Sequence, residues 1–165
     1  MDELFPLVNE QGEVVGSALR SEVHGNPALM HPVVHCIVVN ARGELLLQLR
    51  SKDKDVQPGR WDTSVGGHVA FGEPIEHALA RELREEIGLA QADLRFLYRY
   101  VMRSEIETEL VHTYQCVAEG PFEHQVSEID ELRFWSREQI RAALGTGVLT
   151  PNFEDEFARY ERTLR

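Results

Sequence analysis

The sequence predicts one α/β domain in which a mixed β-sheet is sandwiched between helices. Three observations predict it: short strand-like apolar runs on both sides of the middle of the chain, one amphipathic helix framed by Pro74 and Gly88, and further helical pattern after Ser136. With 165 residues, the chain has the length for one proper core, and a single domain over 1–165 is expected.

Taken in order, Leu4 to Val8 and Val14 to Leu19 flank the polar turn Asn9-Glu-Gln-Gly12, and Val33 to Val39 and Glu44 to Leu49 flank Asn40-Ala-Arg-Gly43. Both pairs read as hairpins. Ser51 to Arg60 is a polar loop leading into Trp61-Asp-Thr-Ser-Val-Gly-Gly67. The central helix should run from about Pro74 to Ile87, because proline is tolerated in a first helical turn and Gly88 suits the left-handed residue that ends one. Leu94 to Arg103 and Glu109 to Val117 form another strand pair, joined through Ser104-Glu-Ile-Glu-Thr-Glu109. Asp130 to Trp135 is a further strand, Ser136 caps a helix of about Arg137 to Leu144, and Pro151 opens a last helix to about Leu164.

The formal charge of −11 argues against a broad surface for nucleic acid or membrane, which would need a basic stripe. Any phosphate must therefore be met locally by individual cations. The opening Met1-Asp-Glu-Leu-Phe-Pro has no basic n-region, and no apolar run reaches the length of a membrane span, so a cytoplasmic protein is expected, monomeric or homodimeric. Cys36 and Cys116 both fall in strand-like runs and read as buried reduced thiols.

The chemistry is concentrated between Gly67 and Leu89. At about 100° per residue, Leu79, Ala80, Leu83 and Ile87 make one apolar stripe, Glu82, Glu85 and Glu86 occupy the adjoining arc, and His77 and Arg84 point away. Glu82 and Glu86 are a like-charge pair one helical turn apart, and Glu82 and Glu85 are neighbours as well, so a cation must compensate. Arg81 could pair with Glu85 on a solvated face, but the arc borders the core beside bare Gly66-Gly67 backbone. Hard carboxylate ligands in that setting suit magnesium, with manganese as the alternative, and a small-molecule phosphate substrate.

This stretch resembles the Nudix box, Gly-x5-Glu-x7-Arg-Glu-U-x-Glu-Glu-x-Gly-U with U a bulky aliphatic residue, and matches every fixed position. The resemblance implies the Nudix α/β/α sandwich, with the box as its loop-helix-loop active site. It also implies Glu82, Glu85, Glu86 and the Gly67 carbonyl as metal ligands, steadied by Arg81 and Glu73.

From about Val8 to Tyr114 the chain is also similar to the isopentenyl diphosphate isomerase-like branch of that family. The isomerase pattern His-x6-His is matched by His24 and His31, its diphosphate-binding Arg and Lys by Arg50 and Lys54, its Pro-Gly-x-Trp by Pro58, Gly59 and Trp61, its Gly-His by Gly67-His68, and its Glu-x-Glu by Glu107 and Glu109. The resemblance implies a second metal site at His24, His31, His68, Glu107 and Glu109. It leaves Trp61 either stacking on a substrate base or filling the sheet edge. His35, His77, His112 and His124 match no pattern and read as structural.

Two departures matter more than these matches. The isomerase places its proton-transfer cysteine where this chain has Gly66, and a second arginine where this chain has Glu82. Both point to water attack on the phosphoanhydride of a diphosphate linked to some group X, with Glu85, Glu107 and Glu109 all eligible as general base. The rival readings are a prenyl diphosphate isomerase and a catalytically silent Nudix domain that senses a ligand.

Overall fold

The computed structural model describes residues 2–165. Strands β1 (Leu4–Val8) and β2 (Val14–Leu19) form the expected hairpin as a separate two-stranded sheet, followed by a single helical turn, α1 (Arg20–Val23), that the polar sequence there did not announce. The main sheet is seven-stranded and mixed: β3 (Met30–Val39), β4 (Leu45–Arg50), β5 (Trp61–Asp62), β6 (Val65–His68), β7 (Arg95–Arg103), β8 (Thr108–Val117) and β9 (Ile129–Trp135). β3 and β8 run parallel from Met30↔Thr108 to Val39↔Val117, and the other pairings are antiparallel.

Because side chains alternate along a strand, β3 feeds two cores. Val34, Cys36 and Val38 pack with Leu79, Leu83 and Ile87 of α2 (Ile75–Ile87) on one face. Ile37 and Val39 pack on the other face with Ile140 of α3 (Arg137–Ala143) and Phe153, Phe157 and Tyr160 of α4 (Pro151–Thr163). Helices thus cover both faces. Ser136 caps α3 through the Gln139 amide, and the Thr150 hydroxyl caps α4, with Pro151 in its first turn. Among the described residues no helix is long and apolar enough to cross a membrane.

The expected β3–β4 hairpin is corrected by the structure. The turn forms as read, with the Asn40 amide on the Glu44 carbonyl at 3.0 Å, but the strands pair only at Val39↔Leu45 and then fork. β6 takes the vacated edge of β3 from Val33 to Cys36, and β5 takes β4 at Gln48 and Leu49. Ser64 sits in the crotch: its hydroxyl accepts from the Val38 amide at 2.9 Å and donates to the Leu46 carbonyl, while Gln48 Nε2 donates to the Ser64 carbonyl at 3.0 Å. The segment that follows the polar loop, to which the sequence assigned no strand, therefore contributes two strands, because its backbone satisfies the groups that the fork exposes.

The second correction concerns α2. It ends as expected, with Gly88 at φ 71°, the Gly88 amide on Arg84 and the Leu89 amide on Leu83, while Pro74 is the N-cap rather than the first helical residue. Its buried alanine, however, is Ala78, and Ala80 is exposed. Ala78 lies on the carboxylate side of the stripe, so the helix is rolled to press Glu82 and Glu86 toward β6. Gly67 permits this: a Cβ there would lie 2.2 Å from Glu82 Cδ.

Candidate active site

The fork opens into a cavity of about 690 Å³ whose walls include Gly66, Gly67, Glu82 and Glu86 on one side and His24, His68, Glu107 and Glu109 on the other. Arg50, Lys54, Gln48, Asp62, Thr63, Thr150 and Asn152 complete much of its polar lining.

On the box side, Arg81 organises the anions. Its Nε and Nη2 donate to the two oxygens of Glu73, both at 2.9 Å, Nη2 also donates to the His68 carbonyl at 3.0 Å, and Nη1 reaches Glu82 at 2.7 Å and Glu85 at 3.5 Å. One guanidinium thereby ties the helix to the glycine loop. The hydrogen bond from Arg81, with those from Ala70 and His77, holds the Glu73 carboxyl down at about 2, against a smaller opposing effect of burial. Burial first, and then the neighbouring Glu82, push the Glu86 carboxyl well up. Arg81 reaches Glu82 but not Glu86, so this donor set is short of positive charge and fits a hard divalent cation. Glu82, Glu86 and Gly67 line the cavity, whereas Glu85 is half exposed outside that lining.

The histidine side is assembled from separate elements. His24 follows α1, His31 lies on β3, His68 ends β6, and Glu107 and Glu109 flank and begin β8. Their rings gather with centroids 5.6 Å apart for His31–His68 and His24–His68 and 6.2 Å apart for His24–His31. His31 Nε2 lies 3.6 Å from Glu109, and His24 Nε2 lies 3.6 Å from Glu107. His31 is fully buried, yet both of its ring nitrogens and Glu107 Oε2 lack hydrogen-bond partners. Ligand atoms of His31, His68 and Glu109 lie within 4.8 Å of one another. Orphaned buried nitrogens beside carboxylates fit a cation, which would satisfy them all together. Burial holds the His68 imidazole down at about 4, so it presents a neutral ring. Burial alone would raise Glu109, but the imidazole of His31 beside it, with those of His35 and His68 nearby, brings it below its ordinary value.

The two cations ahead of the box line the cavity but are already engaged. Arg50 donates to the Val56 carbonyl at 3.1 Å and lies 3.4 Å from Asp62, and Lys54 pairs with Glu128. Trp61 is corrected to a core residue. It is buried, with Trp135 edge-on at 5.4 Å and Arg133 stacked at 4.6 Å, and it does not line the cavity. It sits on β5 against β4, where the alternation of the strand turns it toward α3 and α4.

His35, read as structural, does line the cavity, and its Nδ1 lies 2.6 Å from Glu156 of α4. Burial disfavours its charge, but Glu156 outweighs this and raises the imidazole above its ordinary value. The only sequence signal was an acid in an otherwise apolar stripe of α4, between Phe153 and Phe157. His112, on β8, lies beside the β1–β2 turn at Gly12, and His77 bonds Glu73 at 2.8 Å.

Comparison with known proteins agrees with this fold. The model of the NUDIX domain family matches residues 29–153. The chain is 36% identical over 132 residues to an uncharacterized Nudix hydrolase of Pseudomonas aeruginosa, covering 80% of this chain and 78% of that one. It is 34% identical over 140 residues to an isopentenyl-diphosphate Delta-isomerase of Corynebacterium diphtheriae, covering 79% and 76%. Among solved structures, a Deinococcus radiodurans protein superposes with a TM-score of 0.81 at 26% identity over 95% of this chain and 98% of that one. The NUDIX domain of Shewanella oneidensis NrtR, solved with ADP ribose, superposes at 0.66 with 15% identity over 81% and 88%. With a complete box, a sheet layered between helices and a family match across most of its length, the chain belongs to the NUDIX domain family.

Proposed function

We propose that this protein is a magnesium- or manganese-dependent hydrolase that cleaves the phosphoanhydride of a diphosphate linked to a group X. The observation that carries this reading is the pairing of an intact carboxylate cluster, Glu82, Glu85 and Glu86, with Gly66 at the position of the isomerase cysteine. The first supplies ligands for phosphate chemistry. The second removes the acid that a prenyl isomerisation would need.

Glu82, Glu85, Glu86 and the Gly67 carbonyl would hold the box metal, and His31, His68 and Glu109, with His24 and Glu107 beside them, would hold a second. When bound, such ions neutralise charge on the phosphates and acidify the attacking water. Arg81 keeps Glu82 and Glu85 aimed and fixes the His68 carbonyl against α2. Arg50 and Lys54 are placed to exchange Asp62 and Glu128 for phosphate oxygens. Of the three eligible general bases, Glu107 and Glu109 line the cavity and Glu85 stands outside it. The cavity lining therefore favours, over Glu85, whichever of Glu107 and Glu109 a second ion leaves unligated.

An isomerase is the second reading, favoured by the assembled histidine cluster and by the identity to isomerases. Turnover across nucleoside di- and triphosphates, dinucleoside polyphosphates, nucleotide sugars and prenyl diphosphates tests both. Magnesium-dependent hydrolysis of the P–O–P bond, water adding to one phosphorus and the other phosphate leaving with its own substituent, is expected and should be abolished by EDTA. Isomerisation of a prenyl diphosphate by the wild type would overturn the hydrolase reading.

A further inference from the structure

Gly66 and Gly67 have opposite faces occupied by different chemistry. The Cβ that Gly67 lacks would collide with Glu82 on the α2 side, at 2.2 Å from its Cδ. The Cβ that Gly66 lacks would lie 3.2 Å from His35 Cδ2 and 3.4 Å from His35 Nε2, on the α4 side. His35 and Gly66 are directly paired across β3 and β6, so the imidazole lies over the bare glycine. The slot of the isomerase cysteine is thus filled by a different proton-bearing group.

That group is anchored from behind. Glu156 is fully buried on α4, and its carboxylate takes His35 Nδ1 at 2.6 Å, the Tyr98 hydroxyl, and the Thr113 hydroxyl at 3.3 Å. Two of these partners are neutral hydroxyls, so His35 is the cation among them that can balance a buried carboxylate. With Nδ1 committed to Glu156, Nε2 is left facing the cavity, and the ring cannot rotate without stranding Glu156. The cavity lining also carries Asp62, Thr63, Thr150 and Asn152, with Thr150 Oγ1 3.1 Å from Asp62, and among the described residues its apolar side chains are the aliphatic Val33, Val56 and Ile106, with no Phe, Tyr or Trp.

We propose that His35 is a substrate-contacting specificity residue, donating a hydrogen bond from Nε2 to an oxygen of X, and that Glu156 is the residue that positions it. This rests on the reading of the cavity as a diphosphate site. It implies that X carries hydroxyl or other oxygen acceptors near the diphosphate. A prenyl chain offers none, and its burial would leave Nε2 unpaired.

The test uses two probes, ADP-ribose, whose X bears hydroxyls, and dimethylallyl diphosphate, whose X bears none, each with magnesium. Equilibrium binding, KM and kcat are measured for the wild type, His35→Phe, His35→Gln and Glu156→Gln. His35→Phe is expected to raise Kd and KM for ADP-ribose tenfold or more with a smaller change in kcat, and to leave or improve dimethylallyl diphosphate binding. His35→Gln, which keeps a donor, should recover part of the loss, and Glu156→Gln should fall between. In protein labelled with ¹⁵N at histidine, the His35 Nε2 resonance should move with ADP-ribose and not with dimethylallyl diphosphate. Equal effects on both probes, or an unmoved His35 resonance with ADP-ribose bound, would overturn the proposal. Binding through His35 without hydrolysis of any diphosphate would overturn the hydrolase reading alone.

Discussion

The two halves of the cavity are built by opposite strategies. The box half draws its acids from one helix at spacings of three and four residues, leaves Glu85 half exposed, and restrains Glu82 and Glu85 with the single guanidinium of Arg81. The histidine half draws its ligands from β3, β6, β8 and the end of α1, buries His31 completely, and leaves both ring nitrogens unpartnered. Glu82 and Glu85 tolerate the absence of a cation because Arg81, and for Glu85 water as well, share the charge. A dry cluster does not, because an unpaired buried polar atom forfeits its hydrogen bonds to water. The contrast predicts that loss of a box ligand damages chemistry without damaging the fold, whereas changes on the histidine side register first in metal binding and stability.

The largest effect should come from Glu86→Gln or Glu85→Gln. Each is expected to lower metal-dependent turnover by about a hundredfold or more with the melting temperature retained, since a repelling charge is removed. Wild-type rates in either variant, or turnover indifferent to EDTA, would break the assignment of the box half. Because Glu86 lines the cavity and Glu85 does not, a larger loss in Glu86→Gln sharpens it.

Gly67→Ala should rank next. The new methyl overlaps Glu82, which Arg81 holds at 2.7 Å, so α2 must shift or Glu82 must leave its place. A loss of at least tenfold in kcat/KM is expected, together with a lower melting temperature. Unchanged kinetics would mean that the close approach of helix and glycine loop is dispensable. Gly66→Cys meets His35 instead, at the looser 3.2 Å, and should neither create prenyl isomerase activity nor abolish hydrolysis. Isomerisation by this variant alone would show that a prenyl pocket survives behind the imidazole.

His31→Phe probes the dry half. With the orphaned nitrogens replaced by a ring that can stack on Phe5, now 5.5 Å away, and with Glu109 losing its neighbouring imidazole, the metal-free protein should stay within about 1 kcal/mol of the wild type in urea unfolding. The same variant should bind one divalent ion fewer by calorimetry. A destabilised apo protein with metal stoichiometry intact would show that His31 is structural.

The smallest effect is the contribution of the Arg81–Glu73 brace to acid stability. The folded Glu73 carboxyl titrates at about 2 against an ordinary 4.5, so its contribution is fully present above pH 4.5 and is lost as the pH falls through 2. Urea midpoints of the wild type should therefore drop across that window more steeply than those of Glu73→Gln. Parallel curves would show that the brace organises the site without stabilising the fold.

Much of the box half was legible because its geometry is local: a helix fixes the relation of Glu82, Glu85 and Glu86 within two turns, and Pro74 and Gly88 mark the ends. The roll of α2 was not, because Ala78 and Ala80 are chemically identical, and only Gly67 on a neighbouring strand decides which one is buried. The β3–β4 fork was hidden for the same reason. A hairpin turn of the right composition forms at Asn40 to Gly43, yet the strands beyond it part around Ser64. Trp61 carried no directional signal until β5 paired with β4.

By itself, then, the sequence determined the layer order, the box helix with its acids, the Ser136 cap of α3 and the proline start of α4, all consequences of short-range periodicity and local capping chemistry. Resemblance to the isomerase branch named the histidines as a set, but their spacing along the chain contains nothing that would gather them. Tertiary structure decided that they meet, that Arg50 and Lys54 are already paired, and that His35 is bound to an acid 121 residues away. The physical reason is that strand pairing and helix docking set the approach of residues distant in sequence, and the cost of stranding a buried polar atom selects which of them share one cavity.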